Sequence, residues 1–402
     1  MIELDKTFKE ALPIIEKIEK AGFEAYFVGG SVRDALLGKD INDVDIATSA
    51  FPAEIKQLFH KTIDVGIEHG TVMVLWDGET YEITTFRTES AYQDFRRPDK
   101  VEFVRSLVED LKRRDFTVNA LAMNKKGQIM DYFEGQKDLE NHVIKAVGSP
   151  QERFHEDALR MMRAVRFVSQ LGFTMEQSTR EAILEHHALL GKISIERISI
   201  EFMKLLQGKG RSKGLDLFVQ TGLYAFCPGL EKYKDQLEEF VGFNGELSTR
   251  LAAWTMLIHY LAIPTAEVTK FLKLWKCSNK EMQEVHLAVK TLRARLTHPY
   301  TAVELYHSGV TIALEVEHIL EQLDFPANKE LVKEHYEKLP IKEKKDIQIS
   351  GNDILAVVDA KPGKWLGQLL EEIEWLIITG TLVNRPEEIL SWVKNQSGIG
   401  ER

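Results

Sequence analysis

The sequence predicts an α+β protein: a mixed α/β head followed by an all-helical neck, body and tail. Three observations carry that prediction. The chain has 402 residues, too many for one ordinary domain. Over roughly the first 150 residues, short β-rich runs alternate with helical ones. After Gly148-Ser149-Pro150 the texture changes, and Leu, Ile, Ala, Glu and Lys recur at helical spacing with few strand signals. The expected divisions are 1–150 for the head, 151–213 for the neck and 214–402 for the body and tail.

Leu4, Phe8, Leu12, Ile15 and Ile18 repeat at helical spacing and predict an opening helix. Ala25-Tyr26-Phe27-Val28 reads as a strand closed by Gly29-Gly30, and Val32 to Leu37 as a helix stopped by Gly38. Val44 to Ala47 is a second strand, and Pro52 to Phe59 a helix with proline at its start. Thr71–Trp76 and Tyr81–Thr85 flank Asp77-Gly78, a strong hairpin signal. Glu89 to Lys100 is polar and charged and reads as a loop, and Val118 to Met123 as a strand. In the helical half, Gly208-Lys209-Gly210, Asn244-Gly245 and Pro326-Ala327-Asn328 mark breaks between helices.

Composition narrows the class of protein. Hydrophobic residues make up 44% and charged residues 28%, which supports a large core and argues against a disordered chain. Cys227 and Cys277 form no CxxC pair, as expected in a reducing compartment. The first twenty residues do not read as a signal peptide, and no apolar run is long enough to span a membrane, so a cytoplasmic protein is expected. The net charge of −10 counts mildly against a nucleic-acid partner, but it is unevenly spread. Residues 1–85 hold 8 basic and 16 acidic residues, whereas 86–126 hold 10 and 7, and 151–213 hold 11 and 8. An acidic head segment is therefore followed by two basic segments.

Asp43 and Asp45 stand two apart on a predicted strand and share one face, with apolar Val44 and Ile46 on the other. Two like charges so close are costly without a cation between them, and hard oxygen ligands suit Mg²⁺. Alone, Asp-x-Asp is better read as the polar side of an edge strand. About a dozen residues earlier, Gly29-Gly30-Ser31 ends a strand and opens a helix, an arrangement that turns free N–H groups toward a phosphate. Arg33, one turn in, adds a guanidinium for phosphate oxygens. The combination is much rarer than either part. Glu82, between Tyr81 and Ile83, is either a third acid of this site or an exposed strand glutamate.

Together these residues resemble the signature of the polymerase-beta-type nucleotidyltransferase superfamily. Val32-Arg33-Asp34 and Leu36-Leu37-Gly38 resemble the branch holding bacterial CCA-adding enzymes and poly(A) polymerases. Arg113-Arg114-Asp115-Phe116-Thr117-Val118-Asn119-Ala120 is similar to the second motif of that branch, and Asp131 to Leu139 to the third. The resemblance implies that Arg114 meets triphosphate and Asp115 ribose hydroxyls. Glu156-Asp157-Ala158-Leu159-Arg160 begins a predicted helix on which Arg163 and Arg166 follow at the same step, and arginines on so apolar a helix need anionic partners.

Asp157 and Arg160 read either as an i,i+3 salt bridge or as a base selector. C and A each present an amino donor beside an unprotonated ring nitrogen. A carboxylate and a guanidinium complement that edge and oppose the reversed pattern of U and G. The string resembles the fourth motif, which templates the incoming base, with Glu156 orienting Arg160. Glu196-Arg197 to Glu201 resembles the fifth motif, which steadies that helix. Trp365 to Leu370 and Leu382-Val383-Asn384 resemble the tail of Bacillus-type CCA-adding enzymes.

The function implied is template-independent addition of C, C and A to the 3′ end of tRNA from CTP and ATP, with release of pyrophosphate. Two Mg²⁺ ions are expected on Asp43 and Asp45, with Glu82 in support. Gly29, Gly30, Ser31, Arg33, Arg114, Asp115, Asp157, Arg160, Arg163 and Arg166 are the expected nucleotide-binding residues. The helical body is expected to grip the tRNA acceptor arm, and a homodimer is left open. The 89–100 segment, with Arg96-Arg97-Pro98, is expected to assist the switch from C to A. Alternatives are a bacterial poly(A) polymerase, an enzyme adding only A, or a non-catalytic RNA-binding protein on the same fold.

Overall fold

The computed structural model describes residues 2–41, 43–93, 97–358 and 361–396, and of 89–93 and 97–100 the backbone alone. They form two compact units, Met1–Phe243 and Asn244–Arg402.

The first unit is built on a seven-stranded sheet. Its strands are β1 (Ala25–Val28), β2 (Asp45–Thr48), β3 (Thr62–Gly66), β4 (Thr71–Trp76) and β5 (Glu79–Thr85), with two later ones below. Strands β6 (Arg87–Gln93) and β7 (Arg97–Phe103) pair with each other as a separate antiparallel ribbon. The polar 89–100 segment is therefore largely a hairpin and not a loop, with residues 94–96, Arg96 included, outside the described residues. Ladder pairing is a backbone property, so a ribbon that need not bury both faces can dispense with the apolar alternation that marks other strands. Strands β8 (Leu121–Met123) and β9 (Ile129–Asp131) complete the sheet, in the order β3-β4-β5-β2-β1-β8-β9. The strand expected from Val118 starts only at Leu121, because Thr117–Asn119 forms a 3₁₀ turn.

Helix α1 (Lys6–Lys20) buries Phe8, Ala11, Ile14, Ile15 and Ile18; of the expected stripe, Phe8, Ile15 and Ile18 are in this set, while Leu12 is half-buried and Leu4 precedes the helix. Asp5 caps it by accepting the Phe8 N–H, and Phe8 meets Phe27 of β1 at 4.7 Å between ring centroids. Helices α2 (Gly30–Leu36), α3 (Pro52–Leu58), α4 (Leu107–Lys112) and α5 (Gly135–Glu140) follow. Phe86, Leu107, Leu111, Ala120 and Ala122 pack with Val28 and Ala47 in a buried cluster that joins β1, β2 and α4.

The helical part of this unit runs through α6 (Pro150–Glu156), α7 (Leu159–Leu171), α8 (Gln177–His186), α9 (Ile195–Leu206), α10 (Arg211–Gln220) and α11 (Lys234–Val241). The expected neck boundary at 213/214 falls inside α10. Two residue pairs, 143–144 and 174–175, add a short parallel ladder. The α10 backbone lies directly against α7. A Cβ built on Gly208 would stand 2.1 Å from Ser169 Oγ, and one on Gly214 2.6 Å from Ser169 Cβ, distances no side chain tolerates. Ser169 Oγ donates to the Leu205 carbonyl, 2.5 Å away, and the Ser169 carbonyl accepts from Gly210 N at 2.7 Å.

The second unit is helical: α12 (Arg250–Tyr260), α13 (Val268–Leu274), α14 (Asn279–Arg295), α15 (Ala302–Gln322), α16 (Lys329–Glu337), α17 (Gly351–Val357), α18 (Lys364–Ile378) and α19 (Pro386–Lys394). The expected breaks at 208–210, 244–245 and 326–328 all lie between helices. Trp365, Leu369, Ile373 and Ile377 of α18 are buried with Leu305, Ile389 and Val393. Asn384 caps a turn, its Oδ1 accepting from Gln348 N and its Nδ2 donating to the Asp346 carbonyl. Among the described residues no helix is long and apolar enough to cross a membrane.

Candidate active site

The first unit holds a cavity of about 530 Å³ lined mostly by polar and charged residues, with Val28, Ile46 and Phe167 among them. Its floor comes from the sheet. Val44 and Ile46 are buried while Asp43 and Asp45 are exposed, as the alternation predicts. Strand β5 runs parallel beside β2 with Ile83 opposite Ile46, which brings Glu82 next to Asp45. Asp45 and Glu82 both line the cavity, and Asp43 stands just outside its lining. Burial and the neighbouring Glu82 and Asp43 push the Asp45 carboxyl above the ordinary range, with Arg114 pulling the other way.

These carboxylates fit a divalent cation. Their mutual repulsion is what a cation relieves, and Mg²⁺ commonly takes only one or two protein carboxylates and completes its shell with water and phosphate. Among the described residues no group of three or more ligating side chains converges, so Glu82 does not complete a three-acid cluster with Asp43 and Asp45.

Gly29 closes β1 with φ +72°, a left-handed backbone that suits glycine. A Cβ there would stand 3.1 Å from Arg114 Nη1 and 3.8 Å from Asp45 Oδ2, so the bare turn lets acid and arginine approach each other. Gly30 also lines the cavity. Ser31 does not: it is buried, and its Oγ donates to the Val28 carbonyl at 3.1 Å. The hydroxyl is spent on holding the turn, a local bond the motif alone does not reveal.

The opposite wall is arginine, each guanidinium set against a carboxylate. Arg33 forks onto Asp34 at 3.0 and 2.9 Å. Arg113 and Arg114 share the buried Asp110, at 2.7 and 3.2 Å. Arg163 reaches Asp115 Oδ2 through Nε at 2.7 Å and Nη2 at 2.6 Å. Burial would raise the Asp115 pKa, but Arg163, Asn119 and Arg160 outweigh it and hold the carboxyl at about 2. Both Asp115 oxygens are thus engaged inside the protein, Oδ1 by the Phe116 and Asn119 donors. Arg166 lies 3.9 Å over the Phe167 ring and 2.6 Å from Glu201 Oε2, and burial lowers its pKa to about 10. Arg114 Nε is buried with no hydrogen-bond partner among the described residues.

Asp157 is not on the helix that the sequence predicts for it. Its φ/ψ of −137°/102° break the chain between α6 and α7, and its Oδ1 accepts the Leu159 N–H at 3.0 Å. An acid there caps the new helix, which explains the break. Its ion pair is with Arg197, at 2.7 Å, forty residues on. Arg160 pairs with Glu156 at 2.7 Å and donates to the Arg113 carbonyl at 2.9 Å. The two candidate base selectors therefore line one cavity, each steadied by its own partner.

Sequence reasoning missed Thr71, Thr84, Arg87, Arg113 and Asn119, all on the cavity wall. Asn119 had a signal, since it lies in the Arg113–Ala120 string. Its Oδ1 accepts Arg33 Nη1 at 2.6 Å, its Nδ2 donates to Asp115 at 3.1 Å and its carbonyl accepts Arg114 Nη1 at 3.3 Å. Thr71 and Thr84 had none, because each reads as an ordinary strand residue.

Comparison with known proteins covers both units. Residues 25–145 match the family described as Poly A polymerase head domain, 172–234 the probable RNA and SrmB-binding site of polymerase A, and 246–393 domain 2 of tRNA nucleotidyltransferases. The CCA-adding enzyme of Enterococcus faecalis is 53% identical over 98% of each chain. That of Ligilactobacillus salivarius is 50% identical over 96% of each. The crystal structure of the Bacillus stearothermophilus CCA-adding enzyme in complex with CTP superposes with a TM-score of 0.90, at 41% identity over 97% of each chain.

Proposed function

The chain belongs to the family of CCA-adding enzymes, and from that premise we propose that it adds C, C and A to the 3′ end of tRNA, taking CTP and ATP and releasing pyrophosphate. The observation that carries the reading is the shared cavity, with carboxylates on its strand side and arginines on its helix side.

The 3′-hydroxyl of the tRNA attacks the α-phosphorus of the nucleotide and gives up its proton to solvent, a new P–O bond forms, and the bond to the bridging α–β oxygen breaks, that oxygen leaving with pyrophosphate. Asp43 and Asp45, with Glu82 beside them, would hold two Mg²⁺, which when bound supply Lewis-acid stabilisation of the attacking and leaving oxygens. Arg33, Arg114, Arg163 and Arg166 bind the triphosphate, with the Gly29-Gly30 turn giving it room. Because these arginines are already held by Asp34, Asp110, Asp115 and Glu201, little reorganisation is needed when the phosphates arrive. Asp157 accepts the exocyclic amino group of C or A, and Arg160 donates to the adjacent ring nitrogen. Arg197 and Glu156 fix the directions of those two groups. Asp115 acts by aiming Arg163. Head, neck and body correspond on this reading to catalysis, base selection and tRNA binding, with the neck passing into the body within α10.

The test is incorporation by purified protein on tRNA lacking CCA, with CTP alone, ATP alone and both. Two C residues with CTP and a completed CCA with both are expected. The match to a Poly A polymerase head domain favours one competing reading, synthesis of A tails. Long A tails without C would establish it instead.

A further inference from the structure

The residues of the cavity wall divide by charge across the sheet. Six arginines come from α2, from the turn after α4 and from α7, the acids from β2 and β5, and beyond the acids, on β5 and β4, stand two threonines with Arg87 of β6. Glu82 and Thr84 share a face of β5, and Thr71 lies directly opposite Thr84 on β4. Their hydroxyls meet at 3.1 Å. Both residues are half-buried and line the cavity together with Glu82.

A triphosphate belongs on the cationic side. The reaction needs a second substrate on the other side of the acids, close enough for its hydroxyl to attack. In a threonine pair one hydroxyl donates to the other, which leaves one O–H hydrogen and spare lone pairs for a ligand. A neutral group that both donates and accepts is what a ribose hydroxyl is, and a phosphate is not. Arg87, whose Nη1 donates to the His69 carbonyl, also lines the cavity.

We propose that the Thr71–Thr84 hydroxyl pair holds the 2′-hydroxyl of the terminal ribose of the tRNA, presenting the neighbouring 3′-hydroxyl to the acids. This rests on the function proposed above.

The experiment compares CTP incorporation on two tRNAs lacking CCA, one ending in a ribonucleotide and one in its 2′-deoxy counterpart. The natural enzyme should lose about three- to tenfold in kcat/KM for the deoxy-ended primer, the scale of one hydrogen bond. The double variant Thr71→Val with Thr84→Val replaces both partners by groups of the same shape, a change nearly neutral for folding. It should lose a similar factor on the ribo-ended primer and nothing further on the deoxy-ended one, with KM for CTP unchanged. Thr71→Ser with Thr84→Ser should restore the discrimination. A natural enzyme indifferent to the 2′-hydroxyl, or a valine variant that still discriminates, overturns the inference alone. No incorporation by the natural enzyme on either primer overturns the functional reading and the inference with it.

Discussion

On the strand side of the cleft, Asp45 is crowded by Glu82 and Asp43, and its ionised form is held at a cost. On the helix side, Arg163 is half-buried and Arg166 buried, and each stands against a carboxylate. The first arrangement is repulsive in the protein alone, whereas in the second carboxylates offset much of the cost of burying the arginines, with Arg166 still held at some cost. A ligand-binding surface can thus be poised in two ways. The acids store repulsion that a cation relieves, and the arginines are set in advance so that phosphate meets fixed donors. Removing a charge should therefore have opposite effects on folding on the two sides.

The largest effect is expected from Asp45→Asn. Incorporation of CTP should fall by about a thousandfold or more, while the melting temperature holds or rises, because repulsion is removed. A large fall in melting temperature would mean that the acid side is as internally satisfied as the arginine side.

Asp115→Asn probes the other side. The folded Asp115 carboxyl lies at about 2 against an ordinary 3.8, so it contributes about 2 kcal/mol of stability, fully present above pH 4. That contribution is lost as pH falls through 2. Urea unfolding should show the variant less stable by about that amount at pH 7. The gap to the natural protein should close between about pH 4 and pH 2. A gap independent of pH would break the assignment.

The smallest effect sharpens the contrast within the arginines. Arg197 steadies Asp157 from outside the cavity lining. Arg197→Gln should reduce the preference for CTP over UTP by about three- to tenfold, with a smaller change in the rate with CTP itself. Equal losses with both nucleotides would make Arg197 a purely structural residue.

The acid side was legible in the sequence because a strand alternates strictly. Val44 and Ile46 are buried with Asp43 and Asp45 open, as period two predicts, although β2 starts only at Asp45 and is buried from Ile46 through Thr48, and the Asp77-Gly78 turn oriented β4 and β5. The arginine side was legible in its residues but not in its pairings. Helical spacing favours Asp157 with Arg160, yet the chain breaks at 157 and the acid finds Arg197, because partner choice depends on how α7 and α9 pack. The resemblance implies a ribose contact for Asp115, and the sequence does not announce that its oxygens also bond Phe116, Asn119 and Arg163 within the protein. Asn119 joins Arg33, Arg114 and Asp115 over separations of 86, 5 and 4 residues, and nothing local announces the longest of these. The ribbon of β6 and β7 escaped notice because charged side chains mask a pairing that only the backbone makes.

The glycine contact between α7 and α10 bears on how the cleft can adjust to two nucleotides of different size. Where two helices meet through side chains, rotamer changes let one slip past the other. Here main chain rests on main chain around Ser169, whose carbonyl accepts from Gly210 N at the start of α10, while its hydroxyl ties α7 to Leu205 of α9. That joint has almost no mechanical play, and α7, with Arg160, Arg163 and Arg166 at fixed intervals, behaves as a rigid rail. The exchange of a pyrimidine for a purine must then be absorbed elsewhere in the cleft, by side-chain swings or by the Asp157 junction at the start of the rail, and not by travel of the helix.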